Sequence, residues 1–260
     1  MEIDKMAIRL GAVAAGVTPI KSLIEHQSID LDILPSAKTA LVIACGHSQA
    51  ALSSRNLQVK QNDTIATYEK VRAVCKELAM ALEKRGYEAV AIPAFLPIDM
   101  SDGKYGMVGP VDLRRAAVEA RIGSYGKNGL VLVDGFGPRV RLGAVVTSAP
   151  LKPTKKRVRS LCASECQVCL LGCPSKALLG EGKIDKRACG RVIFEFGLRG
   201  LMKFVREMSD ASPEERTQML KGYPFRELWQ TLVSGSYYYC FECQALCPVG
   251  KRKRGKRKRG

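Results

Sequence analysis

The chain has 260 residues, enough for one large domain or two ordinary ones, and its 46% hydrophobic and 26% charged content excludes a disordered or fibrous protein. No stretch approaches the roughly 20 apolar residues of a membrane span. The start lacks the basic segment of a secretory leader, so a cytoplasmic protein is expected. The net charge of +17 points toward anionic partners.

Residues 7–26 read as a helix broken near Thr18-Pro19. The unbroken apolar run TALVIAC at 39–45 reads as a buried strand. Residues 63–85 carry apolar side chains at Val71, Val74, Cys75, Leu78, Ala79 and Leu82, which is helical spacing, and Gly86 supplies the stop. YEAVAI at 87–92 reads as a second strand, and the Pro-, Gly-, Ser- and Asp-rich residues 93–109 as a loop. A helix is expected at 111–121, with Arg114 and Arg115 on its surface. Strands are expected at 130–133 and 140–148, on either side of a Gly135-Phe136-Gly137-Pro138 turn. Residues 1–150 are thus one α/β domain, a cofactor or substrate domain. A Pro- and Lys-rich connection at 149–159 leads into a cysteine-bearing domain over 151–250. An insert at 190–235 should carry helices at 191–208 and 213–220, and a third short one holding Trp229, the chain's one Trp. Such an insert could shield a redox centre from water.

Residues 251–260 form a self-repelling basic tail. Eight of the positive charges lie in residues 251–259, so the remaining chain still carries +9. The tail is either a solvated extension or an electrostatic attachment, without sequence specificity, to RNA, DNA or an anionic surface. No aromatic residue interleaves with it, so base stacking is not expected there.

Eight of the ten cysteines make two spaced groups and a single between them: Cys162-x3-Cys166-x2-Cys169-x3-Cys173-Pro174, then Cys189, then Cys240-x2-Cys243-x3-Cys247-Pro248. This is close to the bacterial ferredoxin run, in which the Cys before Pro ligates the other cluster. The reading is two [4Fe–4S] clusters. One takes Cys162, Cys166, Cys169 and Cys247; the other takes Cys173, Cys189, Cys240 and Cys243. Each is closed by a Cys from the opposite motif. The x3 gap between Cys162 and Cys166 departs from the usual x2. Zinc commonly recruits His, but His26 and His47 lie far away in sequence, and disulfides would need an oxidising compartment. Cys45 and Cys75 fall outside the pattern and are expected in the core.

Residues 109–151, GPVDLRRAAVEARIGSYGKNGLVLVDGFGPRVRLGAVVTSAPL, precede these motifs and contain Gly126-Lys127-Asn128. Together with the cysteine order, this segment resembles epoxyqueuosine reductase and its wider family, over roughly residues 35–250. The resemblance implies an α/β domain of nitroreductase-like fold beside a ferredoxin-like two-cluster domain with a helical insert. It implies a corrinoid (cobalamin) in the first domain, reduced through the clusters by a low-potential electron donor, and queuosine in a tRNA anticodon as product. Under it, Gly126, Lys127 and Asn128 belong to the cofactor pocket. The same residues could simply form a turn, since Gly and Asn tolerate positive φ. One position departs from the family: its acidic residue two places before Gly109-Pro110, thought to donate a proton, is Met107 here. Asp102, Tyr105 and Asp112 stand nearby, and Tyr125 could act as a weak acid.

Three functions follow. The first is an iron–sulfur reductase with its own site in residues 1–150. The second is an electron carrier or activator for a separate redox or corrinoid enzyme. The third is a nucleic-acid-binding protein with structural or sensing clusters.

Overall fold

The structure, a computed structural model, describes residues 3–102, 106 and 108–251. Met107, Tyr105 and tail residues 252–260 lie outside the described residues. The chain runs through α1 (Ile3–Arg9), β1 (Ala14–Pro19), α2 (Ile20–Glu25), β2 (Thr39–Gly46), α3 (Gln49–Leu52) and α4 (Leu57–Glu83). It continues through β3 (Ala89–Ala91), α5 (Leu113–Glu119), β4 (Ser124–Tyr125), β5 (Val131–Leu132) and β6 (Val140–Thr147).

Four of these strands form an antiparallel sheet in the order β1-β2-β6-β3. The alternation along β2 explains its unbroken apolar run. Leu41, Ile43 and Cys45 face one layer with Val71, Val74, Cys75, Leu78 and Leu82 of α4. Ala40, Val42 and Ala44 face the other, with Ile20 and Leu23 of α2 and Ala116 and Ala117 of α5. Both faces of the strand are covered, so no polar alternation is required of it. Cys45 and Cys75 are each 1% exposed, as core residues should be.

One expectation for residues 1–150 is corrected. Residues 7–26 do not form an interrupted helix: the stretch divides into α1, β1 and α2. Gly11, at φ +101°, follows α1, and β1 pairs along β2 from Ala14–Ala44 to Pro19–Thr39. Gly16 in β1 lies against the Ala120 carbonyl, where a Cβ would stand 2.1 Å from the oxygen. The sheet edge therefore selects small residues that locally look helical. The strands expected at 130–133 and 140–148 are present as β5 and β6, on either side of the Gly135-Phe136-Gly137-Pro138 turn. β5 pairs with β4, and β6 sits between β2 and β3. Burial of β6 in the middle of the sheet sets its pairing, and the turn keeps a Val133–Gly137 bridge.

The second half contains α6 (Val168–Leu171), the ribbon β7 (Leu178–Gly180) and β8 (Lys183–Ile184), and α7 (Lys186–Ile193). After these come α8 (Leu198–Asp210), α9 (Pro213–Lys221), α10 (Tyr223–Ser234) and α11 (Glu242–Leu246). Asp185 caps α7 by accepting from Arg187 N and Ala188 N, and Ser212 with Glu215 forms a capping box on α9. The single helix expected at 191–208 is split, with Gly197 at the start of α8. Phe204 of α8 stacks on Phe225 of α10 with ring centroids 5.8 Å apart. No helix among the described residues is long and apolar enough to cross a membrane.

Candidate metal centre

The β4–β5 ribbon turns through Gly126-Lys127-Asn128-Gly129, with Gly129 at φ +69° and Gly126 N donating to Leu130 O at 2.9 Å. The segment is thus a turn, and it also lines a cavity of about 280 Å³. Around that cavity stand Cys162, Cys166, Cys169 and Cys247, with Gly126, Lys127 and Asn128 forming part of the wall. Lys127 Nζ donates to the carbonyls of Ser164 and Cys166, and so holds the loop between the first two thiols. Asn128 Nδ2 donates to Cys243 O at 3.4 Å, while its Oδ1 accepts from Leu130 N. One turn of the first domain therefore grips both cysteine motifs.

The segment that carries Cys247 is held by Arg139, 2% exposed. It donates through one terminal nitrogen to Gln244 O and Cys247 O, both at 3.0 Å, and through the other to Val249 O. Gln244 returns a bond to Pro138 O at 2.9 Å. Gly137, at φ +59°, makes the approach possible, because a Cβ there would lie 2.2 Å from Val249 O. Burial lowers the Arg139 pKa from its usual value, and the neighbouring Cys247 raises it.

The remaining thiols form a second neighbourhood. Burial, then the charges of Cys240, Cys189, Cys173 and Cys169, push Cys243 up to about 12. Cys189 is raised by burial and then by Cys240 and Cys173. Cys173 goes the other way. Burial raises it, but bonds from the Ser175 hydroxyl and the backbone at Ala177, Ser175 and Leu178 together hold it below its ordinary value. Thiols held up in this way must release protons to bind metal, which couples loading to pH.

All ten cysteines are free. Among the described residues no His, Cys, Asp or Glu group is gathered tightly enough for a single metal ion. Four thiols around a cavity, rather than around one point, suit a multi-iron cluster better than zinc. Of the acids near Met107, Asp112 is committed to capping α5, accepting from Arg114 N and Arg115 N. Asp102 is exposed, and burial followed by the charge of Asp112 raises the Tyr125 pKa.

Beside Arg139 lies a polar group that composition alone does not reveal. His47 N donates to Arg139 O at 3.0 Å, and His47 Nδ1 meets Asp63 Oδ2 at 2.6 Å. Thr67 and Arg141 are the other polar neighbours, and Nε2 is buried with no partner among the described residues. Burial lowers the His47 pKa below its usual 6.5, outweighing the Asp63 hydrogen bond. At neutral pH the ring is uncharged in both folded and unfolded chains. As pH falls through 6.5 the unfolded chain takes up the proton first, so this residue's contribution to stability is lost as pH falls further. The limiting slope is about 1.4 kcal/mol per pH unit. Urea melts from pH 7.5 to 5 should show this acid loss in the native chain and a shallower one in His47→Gln.

Arg141 lies over the rings of Tyr68 and Tyr238, 4.9 Å from each centroid, and Gln61 Nε2 donates to Tyr238 O at 3.2 Å. These contacts fix the segment leading to Cys240 against α4 and β6. The molecule is therefore an α/β sandwich onto which a thiol-rich segment is clamped by Lys127, Asn128, Arg139 and Arg141.

No protein-family model matches the chain. It is 29% identical over 147 residues to an epoxyqueuosine reductase of Listeria monocytogenes, covering 56% of this chain and 32% of that protein. The chain thus spans about a third of the length of that relative. A solved epoxyqueuosine reductase with an epoxyqueuosine-modified tRNA stem loop aligns with a TM-score of 0.54 at 18% identity, over 96% of this chain and 64% of that one. A reductive dehalogenase structure, described as suggesting a mechanism for B12-dependent dehalogenation, aligns with a TM-score of 0.56 at 14% identity, over 94% of this chain and 36% of that one. The chain is thus similar in sequence to epoxyqueuosine reductases, and its fold resembles theirs and that of the reductive dehalogenase.

Proposed function

We propose that the protein is an iron–sulfur reductase. Cys162, Cys166, Cys169 and Cys247 would hold one [4Fe–4S] cluster, and Cys173, Cys189, Cys240 and Cys243 the other. The observation that carries this reading is the cavity of about 280 Å³ whose thiols come from both cysteine motifs. When bound, the clusters supply one-electron transfer. The chain's own residues orient and insulate them. Lys127 and Arg139 bring positive charge to the first cavity, which favours the more negative reduced state, and the hydrogen bonds to Cys173 do the same at the second. Residues 1–150 would bind the electron acceptor.

Cobalamin is the first acceptor to test, since the dehalogenase neighbour is described in terms of B12-dependent chemistry. The cavity of about 280 Å³ at the thiols and one of about 380 Å³ beside Val17, Thr154 and Arg157 are both too small for a corrin ring with its side chains, so no step is assigned to one. A tRNA substrate is supported by the stem-loop complex of the relative and by this chain's charge of +17. The second reading, an electron carrier for a separate enzyme, is favoured by Met107, which stands where the family's proton-donating acid is expected.

Anaerobic reconstitution tests the proposal. Iron analysis should give about eight irons per chain, from four thiolates per cluster. The reduced protein is then assayed on an epoxyqueuosine-containing tRNA stem loop with and without added cobalamin, and turnover in either supports the reductase. Eight irons without turnover on any corrinoid or tRNA substrate would select the carrier. A chain that takes up zinc and no iron would overturn both.

A further inference from the structure

The helical insert exposes more apolar surface than its own packing explains. On α8, Leu198, Met202 and Val205 are 50%, 58% and 57% exposed, and on α10 Trp229, Leu232 and Val233 are 61%, 51% and 70% exposed. The two helices touch through Phe204–Phe225 and through Gly200 beside Leu228, so early residues of α8 meet late residues of α10 and the pair is antiparallel. Val205 lies one residue beyond Phe204, Met202 one beyond the half-buried Leu201, and Trp229 one beyond Leu228. A one-residue step turns a side chain roughly 100° about its helix. On antiparallel neighbours that step turns both stripes to the same side, which makes one apolar face.

The next step round α8 carries Arg199, Lys203 and Arg206, at the spacing of a single stripe. Among these cations, the ion pair described is Lys203 with Glu207 at 3.6 Å, an exposed contact of little strength. The acid of α10, Glu227, is buried and accepts from the Tyr239 hydroxyl at 2.9 Å. The face therefore has an apolar centre and a basic rim. It is also joined to the second thiol set. Tyr239 bonds Thr231 of α10 through its hydroxyl and Ile193 of α7 through its N–H. Cys240 follows Tyr239 directly, and α7 carries Cys189.

We infer that this face docks the electron donor, a small acidic electron-carrier protein with an apolar patch inside a carboxylate rim. The inference rests on the cluster reading above. Charge complementarity selects the partner and steers its approach, and the apolar stripes hold it on the helix pair that Tyr239 ties to the segment carrying Cys240. In the step it serves, the donor loses one electron and the cluster gains it, with no bond made or broken.

The test uses the full chain with reconstituted clusters and a reduced acidic flavodoxin as donor, with cluster bleaching followed by stopped flow. Dithionite, which needs no docking surface, is the control. In the exposed double variants Lys203→Glu/Arg206→Glu and Met202→Ser/Trp229→Ser, reduction by flavodoxin should slow roughly tenfold or more, within the range of electrostatic steering. Added salt should slow the native chain, and dithionite should reduce all chains equally. Equal flavodoxin rates in native and variant chains would overturn the inference. So would a dimer that dissociates in the Met202→Ser/Trp229→Ser variant, which assigns the face to a second copy. Variant-sensitive binding to anionic lipid vesicles or to RNA, with flavodoxin rates unchanged, would overturn it as well. A chain without iron would sink the cluster reading itself, a failure that iron analysis separates from a failure of docking.

Discussion

Replacing Cys247 with Ser should halve the iron content, from about eight to about four per chain, because each cluster needs its own four thiolates. The loss is expected to be local. Cys247 stands with Cys162, Cys166 and Cys169 around one cavity, while Cys173, Cys189, Cys240 and Cys243 form a separate neighbourhood. The signal of one cluster should therefore disappear from the EPR spectrum of the reduced protein while the other persists. Substrate reduction should fall to background if both clusters lie on one electron path. Cys75→Ala is the matched control: Cys75 is 1% exposed in the core and far from either thiol set, so it should cost stability and leave iron unchanged. Equal iron in the native and Cys247→Ser chains would remove Cys247 from the centre.

Arg139→Met should produce the largest loss of stability of any single change outside the cysteines. The guanidinium satisfies the carbonyls of Gln244, Cys247 and Val249 in a buried setting, and a Met side chain leaves all three without a donor. Leaving a buried acceptor unsatisfied typically costs about 1–3 kcal/mol. Because the bonds bridge the sheet domain to the second cysteine motif, the cost should appear as undocking of that motif before the sheet melts. Denaturation followed by near-ultraviolet circular dichroism should then show two transitions, and reconstituted iron should leach faster than from the native chain. Arg139→Lys should recover little, since one ammonium lacks the planar fork that reaches three carbonyls. A single transition with an unchanged midpoint would disprove the clamp.

The sequence revealed those parts of the molecule that local chemistry determines. The doubly covered strand at β2 reads directly from TALVIAC, and α4 from the spacing of Val71, Cys75, Leu78 and Leu82. The proximity of Cys162, Cys166, Cys169 and Cys247 was also legible, because a Cys-Pro run presupposes that a distant motif folds back. What depended on long-range packing was not. β1 is built of small residues chosen by the approach of α5, and nothing within residues 14–19 announces a strand. Arg139 reads as one basic residue among 42 Lys and Arg, and only the carbonyls around it reveal its part. The pairing of His47 with Asp63 spans a strand end and a helix, so spacing carried no hint of it. Gly126-Lys127-Asn128 is the turn that spacing allowed, while the bonds of Lys127 and Asn128 to the two cysteine motifs had no signal in the sequence.

The clamp at Gly137 and Arg139 also sets an order of events on the ribosome. The sheet and its covering helices are complete once residue 147 has emerged, and N-terminal units generally fold first during synthesis. The cavity cannot close until residues 244–249 have been made and have returned to Arg139. For the whole interval in which the helical insert is being translated, Cys162, Cys166 and Cys169 face an open mouth. A nascent chain therefore holds three of the four thiols before the wall that completes their cavity has been made, and that wall forms only when Cys247 returns.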